Sequence, residues 1–262
     1  MKTLVNRYDK KLIAQLPKVL FQGQIIVIQS IEEASKAVSF LLTQKVVGID
    51  TETKPIFKKG NGMPPVALLQ VSTQEVCFLF RLNFIGFTDD LIRLMSDDNV
   101  LKVGLSLRDD FSQLYRRRQF TPGKYIELQT EARELGIIDQ SLQKLYANLF
   151  NQRISKTQQL SNWEADVLTE AQKRYAATDA WACIQLYEEM KRLDADGYML
   201  EIIPEPDQPT PSFPNIEEIE KKKERKREKE REKRRRKQIR EKENRRRNKD
   251  RKNKELIKIL ES

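Results

Sequence analysis

Two carboxylates at the end of a short apolar segment are the first residues whose types and spacing suggest chemistry. Residues 46–49 (Val-Val-Gly-Ile) form a mostly β-branched run that predicts a buried strand, and Asp50 and Glu52 follow it. Side chains alternate along a strand, so Asp50 and Glu52 point to the same side. Two converging carboxylates repel each other unless a cation lies between them, and oxygen ligands suit Mg²⁺ or Mn²⁺. The alternative is that both acids are solvated where the chain leaves the strand.

A second pair of acids lies in the first turn of a helix that is predicted to begin near Ser106. Asp110 shares a helical face with Leu107 and Leu114, which places it at the edge of the core, where an unpaired charge is costly. Asp109 lies on a different face and is predicted to be solvated. The alternative is that both are surface acids, favoured there by the helix dipole.

A third element combines a phenol with a carboxylate. Tyr175 and Asp179 are four residues apart in a helix predicted over 169–190, so they lie on one face, one turn apart. The small residues Ala176 and Ala177 allow this helix to approach a neighbour closely. The alternative is that Tyr175 is an aromatic at the core boundary and Asp179 a solvated acid.

The charge of the chain is unevenly distributed. The 262 residues carry a net charge of +10. Residues 215–262 hold 23 Lys and Arg against 12 Asp and Glu, a balance of +11, whereas residues 1–214 hold 26 against 27, a balance of −1. The basic character therefore belongs to the C-terminal segment, and the rest of the chain is nearly neutral.

The composition also excludes several kinds of site. The chain contains no His, which rules out a Cys/His zinc site and a His general base. Its two cysteines, Cys77 and Cys183, lie in apolar surroundings, as expected for free thiols in a reducing compartment. The N-terminus lacks the apolar run of a signal peptide, and no stretch approaches the length of a membrane span. We expect no membrane association and a cytoplasmic protein, or a nuclear one in a eukaryotic host.

The remaining segments predict an α/β fold. Residues 1–20 suggest a short lead-in helix or extended arm, and Ser30 and Glu33 form a capping box for a helix. The pattern of residues 130–190 is helical almost throughout, with breaks near 136, 151–156 and 162. Because strands interleaved with helices precede a helical second half, we predict a mixed sheet flanked by helices. The strands are predicted at 24–29, 46–51, 66–72, 75–80, 100–103 and 125–128.

Composition divides the chain into three parts: a domain at 1–200, a Pro-rich linker at 201–214 and a charged tail at 215–262. The tail is rich in Glu-to-Lys or Glu-to-Arg pairs four residues apart and lacks apolar heptads, which predicts a lone charged helix. We consider three roles for it: an arm that binds nucleic-acid phosphates, a solvated spacer, or a nuclear import signal. The arm is favoured, with two arginine clusters as its contacts: Arg234, Arg235 and Arg236, and Arg245, Arg246 and Arg247.

The three acidic motifs together resemble the DEDD superfamily of 3′-5′ exonucleases. The Tyr four residues before the last Asp resembles its tyrosine branch, and the flanking segments 67–70, 160–163 and 168–169 resemble RNase D and the Werner exonuclease. The resemblance covers about residues 24–195 and implies a ribonuclease H-like fold. Two departures are visible: Asp109 precedes Asp110, and the charged tail replaces the helical domain that often follows in RNase D. The motif residues are Asp50, Glu52, Asp110, Tyr175 and Asp179.

The resemblance also implies cofactors and roles. Two divalent ions, Mg²⁺ or Mn²⁺, would be held by Asp50, Glu52, Asp110 and Asp179, with Asp50 between the two ions. Tyr175 would orient the attacking water together with Glu52. Two ions neutralise the attacking and leaving oxygens of a phosphodiester, so such a site needs no His. Ile56 occupies the position of an apolar side chain that packs against the terminal base.

We therefore expect a metal-dependent 3′-5′ exonuclease that releases nucleoside 5′-monophosphates from the 3′ ends of DNA or RNA. Its partner would be a single-stranded or 3′-terminal nucleic acid; the residues do not separate DNA from RNA and identify no protein partner. The alternatives are a non-catalytic nucleic-acid-binding module that keeps the fold, and a scaffold that works through the tail.

Overall fold

The computed structural model describes residues 1–56 and 64–204, together with Glu224. The chain divides into two compact units, Met1–Ile203 and Pro204–Ser262. Residues 57–63, residues 205–214 of the linker and the charged tail lie outside the described residues, Glu224 excepted. The arginine clusters at 234–236 and 245–247 are therefore also outside them. Within the described part of the chain, no helix combines the length and apolarity needed to cross a lipid bilayer.

The described part of the first unit is built on a mixed six-stranded sheet with the order β2-β5-β4-β3-β6-β7. The pairs β3/β4 and β4/β5 are antiparallel, and the other three pairs are parallel. This confirms the predicted α/β architecture with a mixed sheet, in which β4 and β5 form a hairpin. The strands are β1 (Lys2–Val5), β2 (Gln24–Ile28), β3 (Val46–Thr53), β4 (Val66–Ser72), β5 (Val76–Arg81), β6 (Leu101–Gly104), β7 (Tyr125–Glu127) and β8 (Tyr198–Glu201).

Helices flank this sheet, and their starts follow the local sequence. Ser30 and Glu33 form the predicted capping box of α2, and Thr169 and Gln172 form a second one at the start of α8. These caps fix where two long helices begin. The helices are α1 (Lys10–Ile13), α2 (Ile31–Leu41), α3 (Leu82–Ile85), α4 (Asp89–Ser96), α5 (Leu107–Arg117), α6 (Leu128–Glu134), α7 (Leu142–Phe150) and α8 (Glu170–Asp196).

Alternation along β3 decides which helices each side chain meets. Val47 and Ile49 belong to the core cluster formed with α2, α4 and α5. Gly48 faces the opposite side, against the α8 backbone at Ala180. Asp50 and Glu52 follow Gly48 at intervals of two and therefore face the α8 side as well. The sheet thus carries an apolar layer on one face of β3 and acids on the other.

Three elements differ from the sequence predictions. The arm predicted within residues 1–20 contains strand β1, which pairs in parallel with β8. Neither strand was predicted, because each has only four residues and the pairing joins opposite ends of the domain. Residues 151–169 contain no helix, although the pattern of 130–190 looked largely helical. This segment is instead held by side chains, for example by Arg81, which donates to the carbonyls of Ala165 and Asp166.

Candidate active site

Strand β3 carries the first two acids to the edge of a cavity. Asp50 and Glu52 are half-buried, and both line the cavity on the α8 side of the sheet. The pairing of β3 with β4 becomes irregular between Glu52 and Thr53, where the chain leaves the sheet. The strand end therefore fixes Asp50 within regular pairing and places Glu52 at the last regular position.

Helix α8 brings the third acid to the same place. Gly48 is required for this, since a Cβ atom there would lie only 2.0 Å from the carbonyl oxygen of Ala180. The absence of that atom lets the helix lie directly on the strand, two residues from Asp50. Asp179 immediately precedes Ala180 and is consequently carried to the strand end.

The three carboxylates form a compact cluster. One oxygen each from Asp50, Glu52 and Asp179 lies within 4.8 Å of the others. Asp179 is 6% exposed, and its Oδ1 atom is buried without a hydrogen-bond partner in the described residues. A buried, unpaired carboxylate oxygen is costly in a protein. A divalent cation would satisfy this oxygen and offset the repulsion within the cluster, so the residues fit a metal site.

Burial and mutual repulsion disfavour the charged forms of these three acids. Burial, and then the charge of Asp179, raises the pKa of Asp50 well above its usual range. Burial, reinforced mainly by Asp50, raises the pKa of Glu52 to about 10. Burial also raises the pKa of Asp179 to about 7, although the Tyr175 hydroxyl and Lys156 oppose the rise. Binding of a cation to these three carboxyl groups would therefore release protons from them.

The fourth acid approaches from the other side of β3. Asp110 is buried on α5 and accepts a hydrogen bond from Thr51 Oγ1, whereas Asp109 is exposed. Burial, and then the charge of Asp50, raises the pKa of Asp110. Asp110 lies outside the cluster of three acids, but its charge also raises the pKa of Glu52. This geometry supports Asp110 rather than Asp109 as the motif acid.

The turn that starts α5 is held in an uncommon conformation. Ser106 is its N-terminal cap and has a left-handed backbone with φ of 65°. Its amide donates to Glu127 Oε1, and its hydroxyl accepts from Gln129 Nε2. Since a non-glycine residue in this region persists only where its surroundings fix it, these two contacts set the direction in which α5 presents Asp110.

Tyr175 lies beside Asp179 on α8, as the four-residue spacing predicted. It is 8% exposed, and its ring packs against Trp163 with the ring centroids 6.0 Å apart. Burial, and then the charge of Asp179, raises the pKa of its phenol above the usual range. The hydroxyl therefore stays protonated at neutral pH and can act only through hydrogen bonds.

Comparison with known proteins identifies the family to which this chain belongs. Residues 25–193 match the 3′-5′ exonuclease family. The chain belongs to this family. The predicted family and the ribonuclease H-like fold are confirmed, since the structure also resembles solved RNase D and RRP6 exonucleases.

Two relatives in this family match more than half of the chain. The bifunctional 3′-5′ exonuclease/ATP-dependent helicase WRN of Mus musculus is 31% identical over 188 residues, which are 68% of this chain and 13% of that protein. Exonuclease 3′-5′ domain-containing protein 2 of Drosophila melanogaster is 34% identical over 57% of this chain and 26% of that protein. This exonuclease-family chain thus spans only a minor part of these two relatives.

Solved structures show the same fold at low sequence identity. The EXO domain of Aedes aegypti Nibbler superposes with a TM-score of 0.60 at 21% identity, over 67% of this chain and 91% of that domain. Escherichia coli RNase D superposes with a TM-score of 0.55 at 20% identity, over 66% of this chain and 46% of that protein. These matches establish the architecture around the acidic cluster.

The acidic cluster of this exonuclease-family domain opens into a cavity of about 380 Å³. Beyond the predicted residues, the lining of the cavity includes Lys156 and several glutamines, which sequence reasoning missed because no motif marks them. Gln129 and Gln143 have their amide groups oriented by donation to the carbonyls of Gln140 and Ile154. The additional lining residues include Ser106, Gln129, Gln140, Ser141, Gln143, Ser155, Lys156 and Gln159.

Ile56 lies three residues beyond the end of β3 and is 46% exposed. It is outside the set of residues that line the cavity. Nearby, Lys54 Nζ donates to Glu164 Oε2 at 2.9 Å, joining the segment after β3 to the segment before α8. The assignment of Ile56 to a terminal base stays a prediction.

Proposed function

We propose that this protein is a divalent-metal-dependent 3′-5′ exonuclease that releases nucleoside 5′-monophosphates from the 3′ ends of DNA or RNA. One observation carries the proposal: Asp50, Glu52 and Asp179, from a strand and a distant helix, place carboxylate oxygens within 4.8 Å of one another beside an open cavity. Membership of the 3′-5′ exonuclease family supports the direction of cleavage.

Two divalent ions, when bound, would supply an activated water and neutralise the charge on the phosphate and the leaving oxygen. Asp50 and Glu52 would hold them from the strand, and Asp179 from the helix. Asp110 would act from the opposite side of β3, where Thr51 already orients it. The ions are proposed to be Mg²⁺ or Mn²⁺, because the site offers only carboxylate oxygens as charged ligands.

The remaining residues would position the substrate. The protonated hydroxyl of Tyr175 would hold the attacking water together with Glu52, which keeps that water beside the scissile phosphate. Lys156, an exposed cation on the cavity wall, would contact a phosphate of the strand. The neutral amides of Gln129 and Gln143 would add hydrogen bonds to sugar or base without attracting competing cations.

The proposed substrate is a nucleic acid with a free 3′ end. WRN of Mus musculus carries a 3′-5′ exonuclease by its name, and a solved structure of Trypanosoma brucei RNase D contains RNA U12. These proteins support nucleic acid as the ligand here and leave both sugars open.

The test is digestion of 5′-labelled single-stranded DNA and RNA in Mg²⁺, Mn²⁺ or chelator, with Asp50→Ala as the inactive control. We expect a ladder that shortens from the 3′ end and disappears with chelator or with Asp50→Ala. Intact single strands, duplexes and recessed ends in every metal, with binding retained, would instead establish the non-catalytic binding module.

We also propose that residues 215–262 form an arm that adds affinity for nucleic acid without sequence preference, on the basis of their +11 charge balance. Deletion of these residues should weaken binding at low salt and reduce its salt dependence. Unchanged affinity and activity after the deletion would refute the arm and favour a spacer or scaffold role.

A further inference from the structure

The buried side chain of Gln70 has no role in the site described so far. Gln70 lies in the middle of β4 and is 0% exposed. Both of its polar atoms, Nε2 and Oε1, are buried without a hydrogen-bond partner in the described residues. An unpaired buried amide destabilises a fold, and an apolar residue would fill this position at lower cost. Its presence calls for a group that it can bond in another state of the protein.

The sheet register identifies that group. Gln70 pairs with Asp50 on β3 and with Leu79 on β5, so these two side chains flank it on the same face. Leu79 offers no polar atom. Above this face α8 contributes Ala176 and Ala177 to the same packed cluster as Leu79, and alanine side chains cannot hydrogen-bond either. Of the two direct cross-strand neighbours of Gln70, Asp50 is therefore the one with a polar side chain.

Direct cross-strand neighbours have Cβ atoms about 5 Å apart, within the reach of a glutamine and an aspartate. We propose that Gln70 is a positioning residue whose Nε2 donates a hydrogen bond to the Asp50 carboxylate when Asp50 holds a divalent cation. The metal part of this inference rests on the proposed function. A donor of this kind orients a ligating carboxylate, strengthens its charged form and raises metal affinity.

The test compares Gln70→Met, which keeps the length of the side chain but removes its hydrogen bonds, with Leu69→Met as the matched control. Leu69 is equally buried on the same strand but pairs with Thr51 and faces the opposite core. Calorimetric titration with Mn²⁺ measures metal affinity, and thermal unfolding in chelator measures the stability of the metal-free fold.

We expect Gln70→Met to weaken Mn²⁺ binding by about 10- to 100-fold. Its unfolding midpoint in chelator should equal or exceed that of the wild type, because two unpaired polar atoms are removed. Leu69→Met should leave Mn²⁺ affinity unchanged. Exonuclease activity lost in Gln70→Met should return as Mn²⁺ is raised, which a defect in substrate binding would not show.

Wild-type Mn²⁺ affinity in Gln70→Met, with a lowered unfolding midpoint, would overturn the inference and assign Gln70 a structural role. If Gln70→Met does not fold, Gln70→Leu tests the same loss of the donor with a branched side chain. Failure of the wild type itself to bind Mn²⁺ would refute the proposed function. Equal Mn²⁺ affinity in the wild type, Gln70→Met and Leu69→Met would refute only the role of Gln70.

Discussion

Replacing Asp179 by Asn should stabilise the protein in chelator while abolishing its response to metal. Asp179 is 6% exposed, and its Oδ1 atom lacks a hydrogen-bond partner in the described residues. Its charge also raises the pKa of Asp50 and of Glu52. Asparagine keeps the shape of the side chain and an oxygen for the Tyr175 hydroxyl, but it removes the charge.

The magnitude follows from the pKa of Asp179, which rises from its usual 3.8 to about 7 in the fold. One pKa unit corresponds to about 1.4 kcal/mol, so the ionised group costs at most about 4 kcal/mol above pH 7. An unpaired buried amide in its place costs about 1–3 kcal/mol, which leaves a net gain of about 2 kcal/mol. For a domain of this size that gain is about 4–8 °C in the unfolding midpoint.

The direction of the Asp179 pKa shift determines how the stability of the fold changes with pH. The folded-state pKa is raised, so the contribution of Asp179 favours folding below about pH 4 and is lost as the pH rises through about 7. In chelator, the wild type should therefore lose stability between pH 4 and pH 8, and Asp179→Asn should lose less. Bound metal reverses this trend, because it binds the ionised carboxylate.

The assay is the thermal unfolding midpoint, measured at pH 5 and at pH 8, each in chelator and in Mn²⁺. Asp109→Asn is the control, since it removes the same charge from an exposed position. We expect Mn²⁺ to raise the midpoint of the wild type and of Asp109→Asn, but not that of Asp179→Asn. A lower midpoint of Asp179→Asn in chelator at pH 8, with Asp109→Asn unchanged, would refute the repulsion argument.

Three further predictions use the same assays. Asp110→Asn should lower exonuclease activity by 100-fold or more, about 3 kcal/mol in the barrier, whereas Asp109→Asn should leave it within about twofold; equal losses would contradict the assignment. Gly48→Ala should weaken Mn²⁺ binding and lower the unfolding midpoint, because its Cβ would displace α8 from β3; unchanged metal affinity would show that the helix position is unimportant. Lys54→Ala should change stability by less than about 1 kcal/mol, because its ion pair with Glu164 is exposed, and a larger loss in denaturant unfolding would reveal a structural role.

The sequence predicts the central sheet well because its signals are local. The run at 46–49, the capping box at Ser30 and the hairpin of β4 and β5 each lie within a few neighbouring residues. Strands β1 and β8 escape prediction, since their pairing joins residues about 196 apart and each strand is too short for a pattern. The irregular structure of segment 151–169 was not predicted for a different reason. Hydrogen bonds from Arg81 and Gln172 hold this segment, and neither residue lies within it.

The candidate site is predictable for its charged members and not for its neutral ones. Asp50, Glu52 and Asp179 stand at strand and helix spacings that bring carboxylates to one face, and the structure places them together. Gln129 and Gln143 reach the cavity only through the packing of α6 and α7, which no spacing reveals. Gln70 could have been singled out as a polar residue inside an apolar strand, but the unpaired state of its amide appears only in the folded chain.

The close helix contact and the acidic cluster cannot be separated. Gly48 and Asp50 are two residues apart on β3 and face the same side, whereas Ala180 and Asp179 are adjacent on α8. The approach that Gly48 permits is therefore what brings Asp179 to Asp50. Packing against a small residue favours the contact, and the repulsion between the two carboxylates opposes it. Since a divalent cation removes only the repulsion, metal binding should tighten the β3/α8 contact, with slower amide hydrogen exchange in the turns of α8 around Asp179 and Ala180.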